Sequence, residues 1–314
     1  MANQLTKHAE ILRVIDTLSG RYLQGKIRAL RLAMIALLSD GHLLLEDIPG
    51  LGKTTLALAL SRALGLSFGR IQCTSDLLPS DITGLSIFDR DQSTFRFIEG
   101  PIFNNILLAD EINRAMPKTQ SAMLEAMEEC KVTIEGVSYA LPQPFMVIAT
   151  QNPTEQIGTY PLPESQLDRF LITTDIGYPP PNLEKKIICD GGIREKMLAI
   201  EPLLTLEDIE QAKLAVGKTQ LNEKLIDYIF EIAQATRNHH LIAAGISTRG
   251  AISMASAARA AAYLDGRAYV IPEDVKQIAG PVAAHRLILR PEHQALNNCE
   301  VLLSILDNVP VPMV

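Results

Sequence analysis

The chain has 314 residues, enough for about two domains that each bury a core. Its formal net charge of −7 argues against a surface-wide affinity for nucleic acid or an anionic membrane. With 47% hydrophobic residues, 21% charged residues and no Trp, the composition is that of an ordinary soluble globular protein. Cys73, Cys130, Cys189 and Cys299 are far apart, with no Cys-x-x-Cys, so isolated buried thiols are expected rather than a disulfide framework or a metal site. Residues Met1 to His8 lack the basic-then-apolar signature of a secretory signal, and no apolar run approaches the ~20 residues that span a bilayer. A cytoplasmic protein without membrane insertion is expected.

Ile11, Leu12, Ile15 and Leu18, then Ile27, Leu30, Met34, Leu37 and Leu38, recur at helical spacing and predict two helices punctuated by Gly20 and Gly25. Arg21, Lys26, Arg28 and Arg31 read as a solvated basic face, with a role for some of them near a nucleotide or a neighbouring subunit as the alternative. The stretch from Leu43 to Thr55 then reads as a short buried strand, a tight Gly/Pro turn and a helix opening at Lys53-Thr54. That order suits a phosphate-binding loop. Gly50 and Gly52 let successive N–H groups face one anion, and the helix adds its positive N-terminal end. Lys53 would reach the β- and γ-phosphates of a nucleotide and the Thr54 hydroxyl would hold Mg²⁺. Asp47, Pro49, Leu51 and Thr55 complete the candidate nucleotide-binding set. The usual pattern has Gly six residues before the Lys, where this chain has Asp47. Asp tolerates left-handed backbone, and its charge is expected to point away from a triphosphate.

Arg70 to Cys73 predicts a second strand, Ser75 to Gly84 begins as a loop, and Phe95 to Ile98 reads as a short extended piece. The apolar run Asn105 to Ala109 ends in Asp110-Glu111, as expected of a buried parallel strand delivering two carboxylates at its C-terminal end. Asp110 could contact the Mg²⁺ shell, and Glu111 could take a proton from an attacking water. Pro117 to Cys130 is helical by spacing, and Lys131 to Leu141 alternates around Gly136-Val137 as a hairpin. Another buried strand, Phe145 to Thr150, places Asn152 at its tip as a candidate to orient water, and Leu171 to Thr174 is the last strand.

Pro179-Pro180-Pro181 makes a stiff break. The expected organisation is an αβ nucleotide-binding core over 1–180 and a helical domain over 181–314, with helices near 184–198, 206–216, 222–237, 248–264 and 272–279. Ser247 looks like an N-cap, which puts Arg249 in a first turn, where a cation opposes the helix dipole. An anionic partner, such as a phosphate reaching up from the first domain, would explain it.

Together these motifs resemble the AAA+ ATPases and, within them, the MoxR family. The likeness runs from Leu23-Gln24-Gly25 to Val309-Pro310-Val311-Pro312. Its most specific pieces are Pro49 to Thr54, Asp76 to Gly84 and Ala109 to Ala115, with Ala149 to Pro153, Leu167 to Phe170 and Pro272 to Val275 adding to them. The resemblance implies a P-loop α/β core with a central parallel sheet, followed by a small all-α lid. It implies that Asn152 is the sensor 1 residue, Arg249 the sensor 2 arginine, and Arg169 the arginine that completes a neighbouring subunit's site, with Arg114 the alternative. It likens Ser86 to Ile98 to a helix-2 insert and Val132 to Leu141 to a pre-sensor-1 hairpin. Asp47 departs from the pattern, as does Lys26, where relatives often have Gln.

The family implies ATP hydrolysis with Mg²⁺ in a homo-hexameric ring, a chaperone or remodelling role, and a partner protein with a von Willebrand factor A domain. A motor subunit of a metal chelatase or of a rubisco-activating complex is the near alternative. A DNA-acting motor is disfavoured by the acidic balance, and a non-hydrolysing scaffold by the presence of both Asp110 and Glu111.

Overall fold

Residues 2–91, 93–153, 158–189, 197 and 199–312 are described by a computed structural model of the chain. Helices α1 (Ala2–Arg21) and α2 (Ile27–Leu38) precede β1 (Leu43–Glu46), and α3 (Lys53–Ala63) and β2 (Phe68–Gln72) follow. The short helix α4 (Pro79–Thr83) occupies part of the expected loop. It leads into the hairpin β3 (Gly84–Asp89) and β4 (Thr94–Glu99), then β5 (Ile106–Asp110) and α5 (Pro117–Glu129). A second hairpin, β6 (Lys131–Ile134) and β7 (Val137–Ala140), precedes β8 (Met146–Gln151), α6 (Glu164–Leu167) and β9 (Ile172–Thr174). The chain closes with α7 (Pro181–Cys189), α8 (Leu206–Lys218), α9 (Glu223–Arg237), β10 (Ile242–Ala244), α10 (Thr248–Leu264), α11 (Pro272–Ala283), β11 (Ile288–Leu289) and α12 (Asn298–Leu306). Of the helix expected near 184–198, residues 190–196 and 198 lie outside the described residues.

Five strands form one parallel sheet in the order β2-β5-β8-β1-β9. The three central strands are near-continuous apolar runs because helices cover both faces. Alternation of side chains divides them between two cores. Leu43, Leu45, Ile106, Leu108, Met146 and Ile148 face one core, which also takes in α1 to α3 and the C-terminal helices. Leu44, Leu107, Ala109, Val147 and Ala149 face the other, under α5 and the second hairpin. Leu43, Leu44 and Leu45 are fully buried, each contributing about 1.5–3 kcal/mol.

Because every strand runs the same way, the tips of β1, β5 and β8 converge on one edge of the sheet, beside the point where strand order reverses, the usual place for a ligand. Helices stand over the expected 206–216, 222–237, 248–264 and 272–279, with two additions: α12, and the strands β10 and β11, which pair antiparallel. The second hairpin turns at Glu135-Gly136 (φ 51° and 82°), not Gly136-Val137, and Val137 pairs with Ile134. A two-residue turn of this kind needs positive φ twice, which a β-branched Val resists. The two hairpins lean together, with the rings of Phe97 and Tyr139 stacked at 4.3 Å.

Two expectations are corrected by burial. Lys26 is not part of a solvated face: it is 6% exposed and its Nζ donates to the Gly177 carbonyl, burial lowering its pKa. Arg28 stays on the solvated face as expected while pairing with Asp175, and the half-buried Arg31 pairs with Asp265 at the end of α10. Of the cysteines only Cys73 is buried, its thiol pushed up to about 12 by desolvation, whereas Cys189 is exposed.

Candidate active site

Between β1 and α3 the backbone passes through positive φ at Gly50 (88°) and Gly52 (95°). Gly52 is the N-cap of α3 and offers no side-chain acceptor, so the first-turn N–H groups remain available to an anion. Lys53 Nζ donates to the Asp47 carbonyl and, at 3.3 Å, to the Gln151 carbonyl. Burial lowers its pKa against the opposing pull of Asp47, Asp110, Glu111 and Glu46. Asp47 is not left-handed, contrary to the sequence reading, so the first loop position does not require Gly here. Its carboxylate does point away from the cleft: Oδ1 accepts from the Ile48 N–H (2.9 Å) and Oδ2 from Ile176 (3.0 Å) and Gly177 (2.7 Å). Pro49, Gly50, Gly52, Lys53, Thr54 and Thr55 line a cleft of about 340 Å³; the Asp47 and Leu51 side chains do not.

The opposite wall comes from the tips of β2, β5 and β8. Asp110, 7% exposed, takes both Arg70 Nε and Nη2 at 2.8 Å on Oδ2. Glu111 follows with φ 58°, ψ 51°, a conformation that costs a non-glycine residue about 1 kcal/mol and turns its side chain out of the strand. The Thr150 hydroxyl accepts its N–H at 2.9 Å. Glu111 Oε2 accepts from Gln72 Nε2 at 3.0 Å and ion-pairs with Arg114 Nε at 3.1 Å. Asn152 lines the same cleft. Lys53, Thr54, Asp110, Glu111 and Asn152 are therefore brought together, as expected.

Thr54 and Asp110 offer hard oxygen donors, and the described residues contain no cluster of three or more His, Cys, Asp or Glu that would cage a metal. That sparse oxygen set fits Mg²⁺, which uses one or two protein ligands and completes its shell with water and substrate phosphates.

Arg169 and Arg249 are elsewhere. Both line a second cleft of about 330 Å³, around the residues that precede β1 and β9 and the C-terminal end of α5. In a parallel sheet those positions lie at the edge opposite the P-loop. Arg169 pairs with Glu128 at 2.7 Å and donates to the Leu124 carbonyl at 2.6 Å. Arg249, in the first turn of α10 behind the Ser247 N-cap, pairs with the same Glu128 at 3.1 Å and approaches Asp168 at 3.9 Å. Its anionic partner from the first domain is thus a carboxylate and not the chain's own phosphate, which corrects the expectation. Arg114, by contrast, pairs with Glu111 of its own chain.

Sequence reasoning passed over Arg70, Gln72 and Thr150 in the first cleft and Glu128, Asp168 and Arg286 in the second. Arg70 and Gln72 sit two apart on an alternating strand, which places both on one face. That signal was legible once β2 was set beside β5. Glu128 and Arg286 give none, since their partners come from distant segments.

The family described as ATPases associated with various cellular activities matches residues 42–172, and an AAA lid domain matches 234–302. YeaC of Bacillus subtilis is 43% identical over all of this chain and 98% of its own length. Chaperone MoxR1 of Mycobacterium tuberculosis is 38% identical over 94% of this chain and 80% of its own. A solved ATPase structure from Cytophaga hutchinsonii superposes with a TM-score of 0.89 at 36% identity, covering 99% of this chain and 97% of that one. With a P-loop, an acidic strand tip and a lid in one continuous alignment, this chain belongs to the MoxR family of AAA+ ATPases.

Proposed function

We propose that the chain hydrolyses ATP to ADP and phosphate, with Mg²⁺, inside a homo-hexameric ring, and uses the cycle to remodel or mature a client protein. One observation carries the ring: the P-loop cleft and the cleft holding Arg169 and Arg249 lie at opposite edges of one parallel sheet. A single chain cannot bring Arg169, in the turn that enters β9, to its own γ-phosphate without dismantling the sheet. A neighbour can.

Within the first cleft the loop N–H groups and Lys53 bind the phosphates, Lys53 exchanging the Asp47 and Gln151 carbonyls for phosphate oxygens. Thr54 and Asp110 would hold Mg²⁺, whose charge offsets that of the β- and γ-phosphates. Glu111 leaves Gln72 and Arg114 and takes one proton from a water that Asn152 orients. The water oxygen bonds to the γ-phosphorus as the bond to the β-phosphate oxygen breaks. Arg169 from the adjoining subunit stabilises the charge that spreads over the γ-phosphoryl oxygens.

The name of the MoxR1 relative supports a chaperone role. A partner with a von Willebrand factor A domain, a cytoplasmic setting and no nucleic-acid ligand accompany this reading. Arg169→Ala should bind ATP normally while turnover falls by on the order of a thousandfold; wild-type turnover refutes the trans assignment. Glu111→Gln, held in ATP, should retain a von Willebrand factor A protein that is absent in ADP. Recovery of chelatase or rubisco components, or of nucleic acid alone, overturns the partner.

A further inference from the structure

The turn that carries Arg169 is held by the lid. Residues 168–171 join α6 to β9 and belong to neither. Arg286, just past the end of α11, reaches this turn with a side chain only 3% exposed. Its Nε donates to Asp168 Oδ1 at 2.6 Å, and Nη2 to the Asp168 carbonyl at 3.2 Å and the Phe170 carbonyl at 2.8 Å. Nη1 donates to the Leu171 carbonyl at 3.3 Å and to the Val282 carbonyl of its own helix. Apart from that last bond, the contacts fall on both sides of Arg169, and His285 Nε2 adds a second lid contact to the Phe170 carbonyl at 3.1 Å.

The approach is close. A Cβ on Gly250, in the first turn of α10, would lie 3.1 Å from Arg286 Cδ and 2.9 Å from Ile246 Cγ2, so this glycine leaves the passage through which the guanidinium arrives. Planar, forked and permanently charged, Arg can serve a carboxylate and several carbonyls at once; Lys cannot.

We propose that Arg286 is a positioning residue for hydrolysis in the adjoining subunit, pinning the 168–171 turn between the lid and the core so that Arg169 is held in one place. This rests on the ring reading above. An arginine that stabilises a transition state must be placed to within about an ångström, and such displacements cost on the order of a hundredfold in rate.

The test is trans-complementation with full-length protein. Arg286→Lys should bind ATP with unchanged Kd while kcat falls by about tenfold or more. Lys53→Ala subunits have a dead site but intact arginines, so mixing them with Arg286→Lys subunits should give a rate several-fold above the mean of the two alone. Wild-type turnover of Arg286→Lys overturns the proposal. So does a mixture that fails to recover when Arg169→Ala with Lys53→Ala does recover, since Arg286 would then act only within its own subunit. If neither mixture recovers, the trans reading falls and the proposal with it. Should Arg286→Lys fail to fold, Asp168→Asn removes the charged end of the same clamp and must give the same pattern.

Discussion

Replacing Asp47 by Gly restores the residue that the P-loop pattern prefers, and pattern alone expects a neutral or favourable change. The structure predicts a loss. The Asp47 carboxylate accepts three backbone N–H groups, from Ile48 at 2.9 Å, Ile176 at 3.0 Å and Gly177 at 2.7 Å. A hydrogen bond to a charged acceptor contributes about 1.5–3 kcal/mol. Taking the low end because the side chain is half-buried, three bonds amount to about 4.5 kcal/mol. The added backbone freedom of Gly raises the cost by a further ~0.5–1 kcal/mol. Two of those amides lie in the segment leading to Pro179, so the damage should be local as well as global. Hydrogen exchange at Ile176 and Gly177 should accelerate by about tenfold, the equivalent of ~1.5 kcal/mol for one charge-assisted bond. The measurement is site-resolved exchange on the nucleotide-free protein, beside urea unfolding. Unchanged exchange at both amides, with an unchanged unfolding midpoint, would show that Asp47 holds nothing in place.

Acid should weaken the fold through two buried imidazoles. His42 accepts the Val147 N–H on Nδ1, leaving Nε2 to donate to the Met127 carbonyl, and burial holds its pKa down to about 4. His285 is held to about 3 by burial and then by Arg286. The unfolded chain protonates near pH 6.5, so the stability these groups contribute is complete above that value and is lost as pH falls towards the folded pKa. For His42 the loss is about 3 kcal/mol by pH 4; urea midpoints that stay level from pH 7 to 4.5 would refute this. Asp274, 2% exposed, takes both ends of the Arg267 fork at 2.5 and 2.6 Å and the Ile271 N–H at 2.8 Å. Asp274→Asn should cost about 2–3 kcal/mol, discounted because Arg267 is partly exposed, and an unchanged unfolding free energy would remove this ion pair from the account. Glu111→Gln should leave ATP affinity intact and lower turnover by at least a hundredfold or so, read in a single-turnover assay where a near-normal rate moves the base elsewhere.

How much was legible depended on whether the partner was near in sequence. The P-loop, the acidic pair at 110–111 and Asn152 each announce themselves within a short window, because a strand tip followed by a polar residue is local chemistry. The sheet places them side by side, as the motifs required. Lys26 misled because helical periodicity assigns a face but not what covers it, and the Gly177 carbonyl comes from a segment far along the chain. Arg249 was rightly suspected of having an anionic partner, yet nothing local distinguishes a phosphate from Glu128. Asp47 was judged against the wrong requirement: the pattern tests its backbone, whereas the fold uses its carboxylate.

The division of the sheet into two cores bears on how this chain could be recombined. One core is shared by β1, β5 and β8 with α1, α2 and the lid helices, and its members include Ile11, Leu30, Met254 and Ile278. Among the described residues the other is built from core-domain elements and the second hairpin, through Val132, Ile134 and Tyr139. A lid borrowed from a relative would meet a foreign surface on α1 and α2, and ought to be tolerated only if those helices travel with it. Hairpins, sitting across the sheet, should exchange freely. Grafts of each kind, compared by thermal midpoint, would separate the two faces: the lid graft alone should melt well below its parents, and the hairpin graft should not.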